Sequence, residues 1–143
     1  MTNVAQLLDA KGPAIWSVRP QASVFEAIRL MAEKEIGAVL VIEGQEVAGI
    51  VSERDYARKV ILQGKSSKDT PVAAIMTSRV YYVRPEQTIE DCLALMTAKR
   101  IRHLPVLADD TLMGILSIGD LVKALLADQE VLIEQLETYI TGR

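Results

Sequence analysis

One cysteine, one histidine, one tryptophan and one phenylalanine in 143 residues leave little material for several common kinds of chemistry. Cys92 has no second cysteine with which to close a disulfide and no ligand-spaced partner for a metal, so neither redox nor metal chemistry is expected. His103 has no nominated nucleophile beside it, and no catalytic residue is assigned. A formal charge of −3 and a sequence pI near 5.2 provide no broad positive field, which argues against a protein that coats nucleic acid. No segment reaches the roughly 20 apolar residues of a membrane span, and the first dozen residues lack the pattern of a secretion signal. A cytoplasmic protein with no membrane or nucleic-acid partner is therefore expected. Glycine-rich phosphate loops are absent too; "GKSS" at 64–67 has Lys59 where the leading glycine of such a loop should stand.

What is present is a repeat. With residue n placed over residue n+65, Val18-Arg19-Pro20 falls on Val83-Arg84-Pro85, Leu30-Met31 on Leu95-Met96, and Lys34 on Lys99. Gly49-Ile50 then meets Gly114-Ile115, Ser52 meets Ser117 and Asp55 meets Asp120. About a dozen identities over some forty residues indicate duplication. Each copy opens with a short extended stretch ("AIWSV", "VYYV") and continues into an amphipathic helix whose start is written as a capping box, Ser23 to Glu26 and Thr88 to Asp91. Two apolar runs around the polar turns "EGQE" and "ADDT" read as hairpins, and a second helix starts at Ser52 or Ser117. "VAQLL" and "VAAIM" read as matching lead-in segments, one before each copy. The polar stretch 63–71 is the expected connector. After Asp128 the repeat ends, and Leu132, Ile133, Leu136 and Ile140 mark an additional amphipathic helix. The expected divisions are 1–70, 71–127 and a C-terminal helix over 128–143.

A tandem of strand-helix-strand-strand-helix units, each ending in Gly-apolar-apolar-Ser-x-x-Asp, with "SERDYARK" in the first and "RIRHLPV" entering the second hairpin, resembles the CBS-domain pair, or Bateman module, of the small stand-alone bacterial type. The resemblance covers nearly the whole chain. It implies an α+β fold of two CBS repeats related by a pseudo-twofold axis, plus the C-terminal helix. It also implies a non-enzymatic sensor that binds AMP, ATP or NAD(H) in clefts between the repeats and signals by a change of shape or assembly, commonly as a homodimer. The effector protein is not identified by the sequence. An interaction scaffold with vestigial nucleotide sites is the alternative.

Two readings of Ser52-x-x-Asp55 and Ser117-x-x-Asp120 stand side by side. Each fits an ordinary capping box. Each also places phosphate-accepting N–H groups one turn from a carboxylate able to hold the two ribose hydroxyls, the role the family resemblance assigns to this Asp. Gly49 and Gly114, near the strand ends, suggest close approach of something flat. By the same resemblance, Arg102 and His103 serve the phosphate of the Asp55 site across the axis, whereas Gly37 and Ala38 supply no charge to the Asp120 site. First-site affinity is then expected to fall between pH 6 and 8 as His103 loses its proton. Arg54, Arg58 and Lys59 form a solvated basic face or, in the case of Arg54, a phosphate support. Trp16 and Tyr81 are core aromatics or walls of the purine slots.

Overall fold

The computed structural model describes residues 2–141. It divides into two compact units, one of them Trp16–Val80 and the other the rest of the described chain.

The first unit begins with a two-residue strand, β1 (Ser17–Val18), which pairs parallel with β2 (Ala38–Glu43). Between them runs α2 (Val24–Lys34), which buries Val24, Ala27 and Met31 at helical spacing. Ser23 caps this helix by accepting from the Glu26 N–H, without the returning bond of a capping box that Thr88 and Asp91 complete at the matching helix of the second unit. The remaining donors at the start of α2 are taken by the connector: the Val24 N–H donates to Thr70 O (2.8 Å) and the Phe25 N–H to Ser67 O (3.0 Å). The polar stretch is thus fastened to the first unit. β2 turns through Gly44 into β3 (Glu46–Ser52), and β3 leads directly into α3 (Glu53–Tyr56) and a π-helical turn, Ala57–Ile61. Val39, Val41, Val51, Val60, Val72 and Ile75 complete the core.

The second unit repeats this plan around α4 (Ile89–Lys99), β4 (His103–Ala108) and β5 (Thr111–Ser117). Its hairpin turn, Asp109-Asp110, has positive φ at both residues (47° and 64°), as a two-residue turn that follows the strand twist requires. Where β1 would stand, only Val83 bridges Val106 in parallel, so "VYYV" forms no strand of its own. The core gathers Ile89, Cys92, Met96, Leu104, Val106, Leu116 and Leu121.

The compact units draw on both lead-in segments and on the C-terminal segment in an order that crosses the expected divisions. The segment 72–76, expected to open the second repeat, packs in the first unit: Val72 and Ile75 join its core, and Thr77 exchanges two hydrogen bonds with Ile50. The helix α1 (Val4–Lys11), expected in the first division, places Val4 and Leu7 in the core of the second. Each lead-in completes the unit that the sequence order gave to the other. The additional helix is not separate either. Helix α5 runs unbroken from Ile118 to Thr141, because no residue between Leu121 and Asp128 disfavours continuation; residues 142–143 of the expected helix lie outside the described residues.

Candidate ligand site

Both Ser-x-x-Asp stretches fold into the same turn. In the first unit, the Ser52 N–H donates to Asp55 Oδ2 (2.9 Å) and the Asp55 N–H to Ser52 Oγ (3.1 Å). In the second, the Ser117 N–H donates to Asp120 Oδ2 (2.8 Å) and the Asp120 N–H to Ser117 Oγ (3.2 Å). The first helical N–H is also occupied, since Glu53 donates to Gly37 O and Ile118 to Arg102 O. The capping reading of these residues is therefore realised in full. It uses Oδ2 of each carboxylate and leaves each with acceptor capacity for a further partner.

That further partner is a lysine in both units, and it arrives by different routes. Lys59, one turn along from Asp55, reaches Asp55 Oδ1 at 3.0 Å and donates to the carbonyl of Ile75 at 2.9 Å. Lys11 comes from α1, reaching Asp120 Oδ2 at 2.8 Å and the carbonyl of Ile115 at 2.7 Å. Asp120 loses solvent on folding, which favours its neutral form, yet the Lys11 and Ser117 hydrogen bonds outweigh this and hold its pKa below the ordinary carboxylate value. Lys11 thus brings a positive charge to the Asp120 turn from a segment the repeat motif does not include. Lys59 was legible as an i, i+4 partner of Asp55. Lys11, more than a hundred residues from Asp120, carried no local signal.

Gly49 and Gly114 have a different cause from the one expected. A Cβ at Gly49 would stand 2.8 Å from both Met76 Sδ and the Thr77 carbonyl oxygen, and one at Gly114 would stand 2.8 Å from Leu8 Cδ2. These glycines admit the lead-in segments of their own units.

His103 opens β4 directly opposite Ser117, the place held by Ala38 opposite Ser52 in the first unit. Burial pushes its pKa down to about 4; Lys11 and Arg102 push the same way and Asp120 opposes them. Burial and the neighbouring cations thus favour the neutral imidazole at His103. Arg102 is exposed. Arg54 is part-buried in the first turn of α3. Trp16 is 38% exposed with Lys34 Nζ 4.2 Å from its ring centroid, while Tyr81 flanks the second core under Lys99 at 5.2 Å. The repeated lysines 34 and 99 thus cover the repeated aromatics, a pairing of charge with ring quadrupole that sequence spacing alone did not expose. In the first unit a groove of about 550 Å³ lies between Ser17–Gln21 and Ile42–Gly44, at the opposite end of β2 from Ser52. Among the described residues no group of three or more His, Cys, Asp or Glu side chains could hold a metal ion, and no helix is long and apolar enough to cross a membrane.

The CBS domain family model matches residues 11–61 and 72–127. The CBS domain-containing protein CBSX3, mitochondrial, of Arabidopsis thaliana is 37% identical over 151 residues, covering 99% of this chain and 73% of that protein. The CBS domain-containing protein YhcV of Bacillus subtilis is 30% identical over 118 residues, covering 82% and 84%. Among solved structures, a putative signal-transduction protein with CBS domains from Burkholderia ambifaria superposes with a TM-score of 0.87 at 56% identity, covering 90% of this chain and 96% of that one. With two repeats matched and the same turn closing each, the chain belongs to the CBS-domain family as a pair of CBS repeats, a class of generally regulatory, ligand-binding modules.

Proposed function

We propose that this CBS pair is a non-enzymatic sensor of adenosine-containing nucleotides, AMP, ATP or NAD(H), which it binds at the Ser52–Asp55 and Ser117–Asp120 turns. The observation that carries this reading is the repeated juxtaposition of an acceptor carboxylate and a lysine ammonium at the end of a strand, 3.0 Å apart in one unit and 2.8 Å in the other. A carboxylate takes a ribose diol as a paired acceptor, and the neighbouring ammonium keeps that acceptor partnered until the diol replaces it. Arg54 and Arg102 supply permanent charge for phosphate. Trp16 and Tyr81 offer aromatic surface for a base, in competition with Lys34 and Lys99. Calorimetric titration of AMP, ATP and NADH into protein freed of co-purified nucleotide tests the proposal, together with mass spectrometry of whatever nucleotide the denatured protein releases. Saturable binding lost in Asp55→Ala or Asp120→Ala is expected. Flat titrations with all three compounds would leave the scaffold reading.

The assembly that transmits the signal is proposed to be a homodimer built on α5. Leu126, Ile133, Leu136 and Ile140 are each more than half exposed, and Val122, Leu126, Gln129, Ile133, Leu136 and Ile140 follow one another at intervals of four and three. That alternation is the seam of paired helices, and a second copy supplies a matching seam.

A further inference from the structure

The helix α1 is fastened to α5 at both of its ends. At one end the Thr2 N–H and hydroxyl donate to the two oxygens of Asp128, at 3.1 and 2.6 Å. At the other, Lys11 donates to Asp120 Oδ2 and to Ile115 O. Between them Val4 and Leu7 enter the core, and Leu8 fills the space left by Gly114. The inner fastening uses the carboxylate of this unit that the nucleotide reading assigns to a ribose. A ribose diol that takes both oxygens of this carboxylate therefore competes with Lys11 for Oδ2.

We propose that Lys11 is a latch: it closes α1 onto the Asp120 turn, and a nucleotide that takes the Asp120 carboxylate opens it. This rests on the assignment of Asp120 as a ribose-binding residue. The contact lies at the surface, with the two side chains 31% and 26% exposed, so it is weak enough for a ligand to displace. Because the carbonyl of Ile115 accepts from the same ammonium, loss of the carboxylate leaves Lys11 with half of its tether. The last turn of α1 then frays while Val4 and Leu7 stay buried. The first unit is built otherwise: Lys59 shares a helical stretch with Asp55, so displacing it opens no separate helix. One carboxylate of the pair thus reports binding to a mobile element, and the other does not.

Hydrogen exchange at the amides of residues 8–12 in the full chain provides the test, read with mass spectrometry at fixed pH. Lys11→Met and Asp120→Asn should each speed exchange by about fivefold, the order expected for a surface ion pair, and the double variant should add nothing further. Additive effects would overturn the latch. Saturating AMP, with occupancy established by calorimetry, should raise exchange in the parent to the level of Lys11→Met and leave that variant unchanged. Removal of the competitor should also tighten AMP binding at this site by a few-fold in Lys11→Met. Weaker binding there, or AMP bound with α1 exchange unaltered, would overturn the release step. If AMP, ATP and NADH all fail to bind the parent, the nucleotide reading and the release step fall together. The variant cycle, which needs no ligand, still decides the fastening.

Discussion

Asp55 accepts from the Ser52 N–H and the Lys59 ammonium at once, so its removal has two effects that can be read separately. Loss of the cap costs roughly 1 kcal/mol of stability. Loss of a charged acceptor for a sugar costs roughly 1.5–3 kcal/mol of binding, or about one to two decades in Kd. Asp55→Ala is expected to show both, a lowered urea midpoint and weakened AMP binding; a stability change with unaltered affinity would reduce the turn to a cap. His103 carries the next prediction. Its folded pKa of about 4 lies below the unfolded value near 6.5, so the unfolded chain takes up a proton that the folded chain refuses. Stability should fall as pH drops from about 6.5 to 4, by on the order of 2 kcal/mol, and His103→Gln should flatten that fall in urea titrations at pH 7 and pH 5. The glycines differ in the same quantitative way. At Gly49 an added methyl meets a backbone carbonyl oxygen, whereas at Gly114 it meets a flexible leucine methyl. Gly49→Ala should therefore lower stability by roughly 1–3 kcal/mol and Gly114→Ala by less, measured as thermal midpoints.

Among the elements, the first helix of each repeat ends on a residue in the left-handed region, Glu35 (φ 55°) and Arg100 (φ 56°), at matched positions. The next N–H turns back to the helix in both, Ile36 to Met31 O and Ile101 to Met96 O, which is the C-terminal motif normally served by glycine. Glu35→Gly and Arg100→Gly should each stabilise by roughly 0.5–1 kcal/mol in denaturant titrations, provided no lost side-chain contact offsets the relief. The same elements explain what the sequence made legible. Ser23, Thr88, the turn at 109–110 and the i, i+3, i+4 stripe of Val24, Ala27, Ile28 and Met31 act within a few residues of one another, so spacing alone announces them. The two second helices diverged where local rules are silent. One widens into a π-helical turn at Ala57–Ile61, and the other runs 24 residues without interruption.

For the whole molecule, duplication was plain from Gly49-Ile50 over Gly114-Ile115, but the unit each lead-in completes was not. "VAQLL" and "VAAIM" look alike because both fill the same kind of place, and likeness does not say whose. That Lys11 meets Asp120 follows from this exchange, and no spacing in the chain could have revealed it. The exposed seam of α5 makes its prediction at this scale. Sedimentation equilibrium at micromolar concentration should give a dimer for the parent, and Leu136→Glu, which places a charge in the seam, should give a monomer with unchanged helicity. A dimer that survives Leu136→Glu together with Ile133→Glu would place the interface elsewhere.

The exchanged lead-ins also set an order of events during synthesis. Everything the first unit needs is contiguous from Trp16 to Val80, so it can close once that stretch has cleared the ribosome. The segment made before it, α1, has no such opportunity: the core that receives Val4 and Leu7 includes Leu121, and its outer anchor is Asp128. A helix made before the first unit is thus docked after it, and until then it offers its apolar face to whatever is nearby, a chaperone or a neighbouring nascent chain.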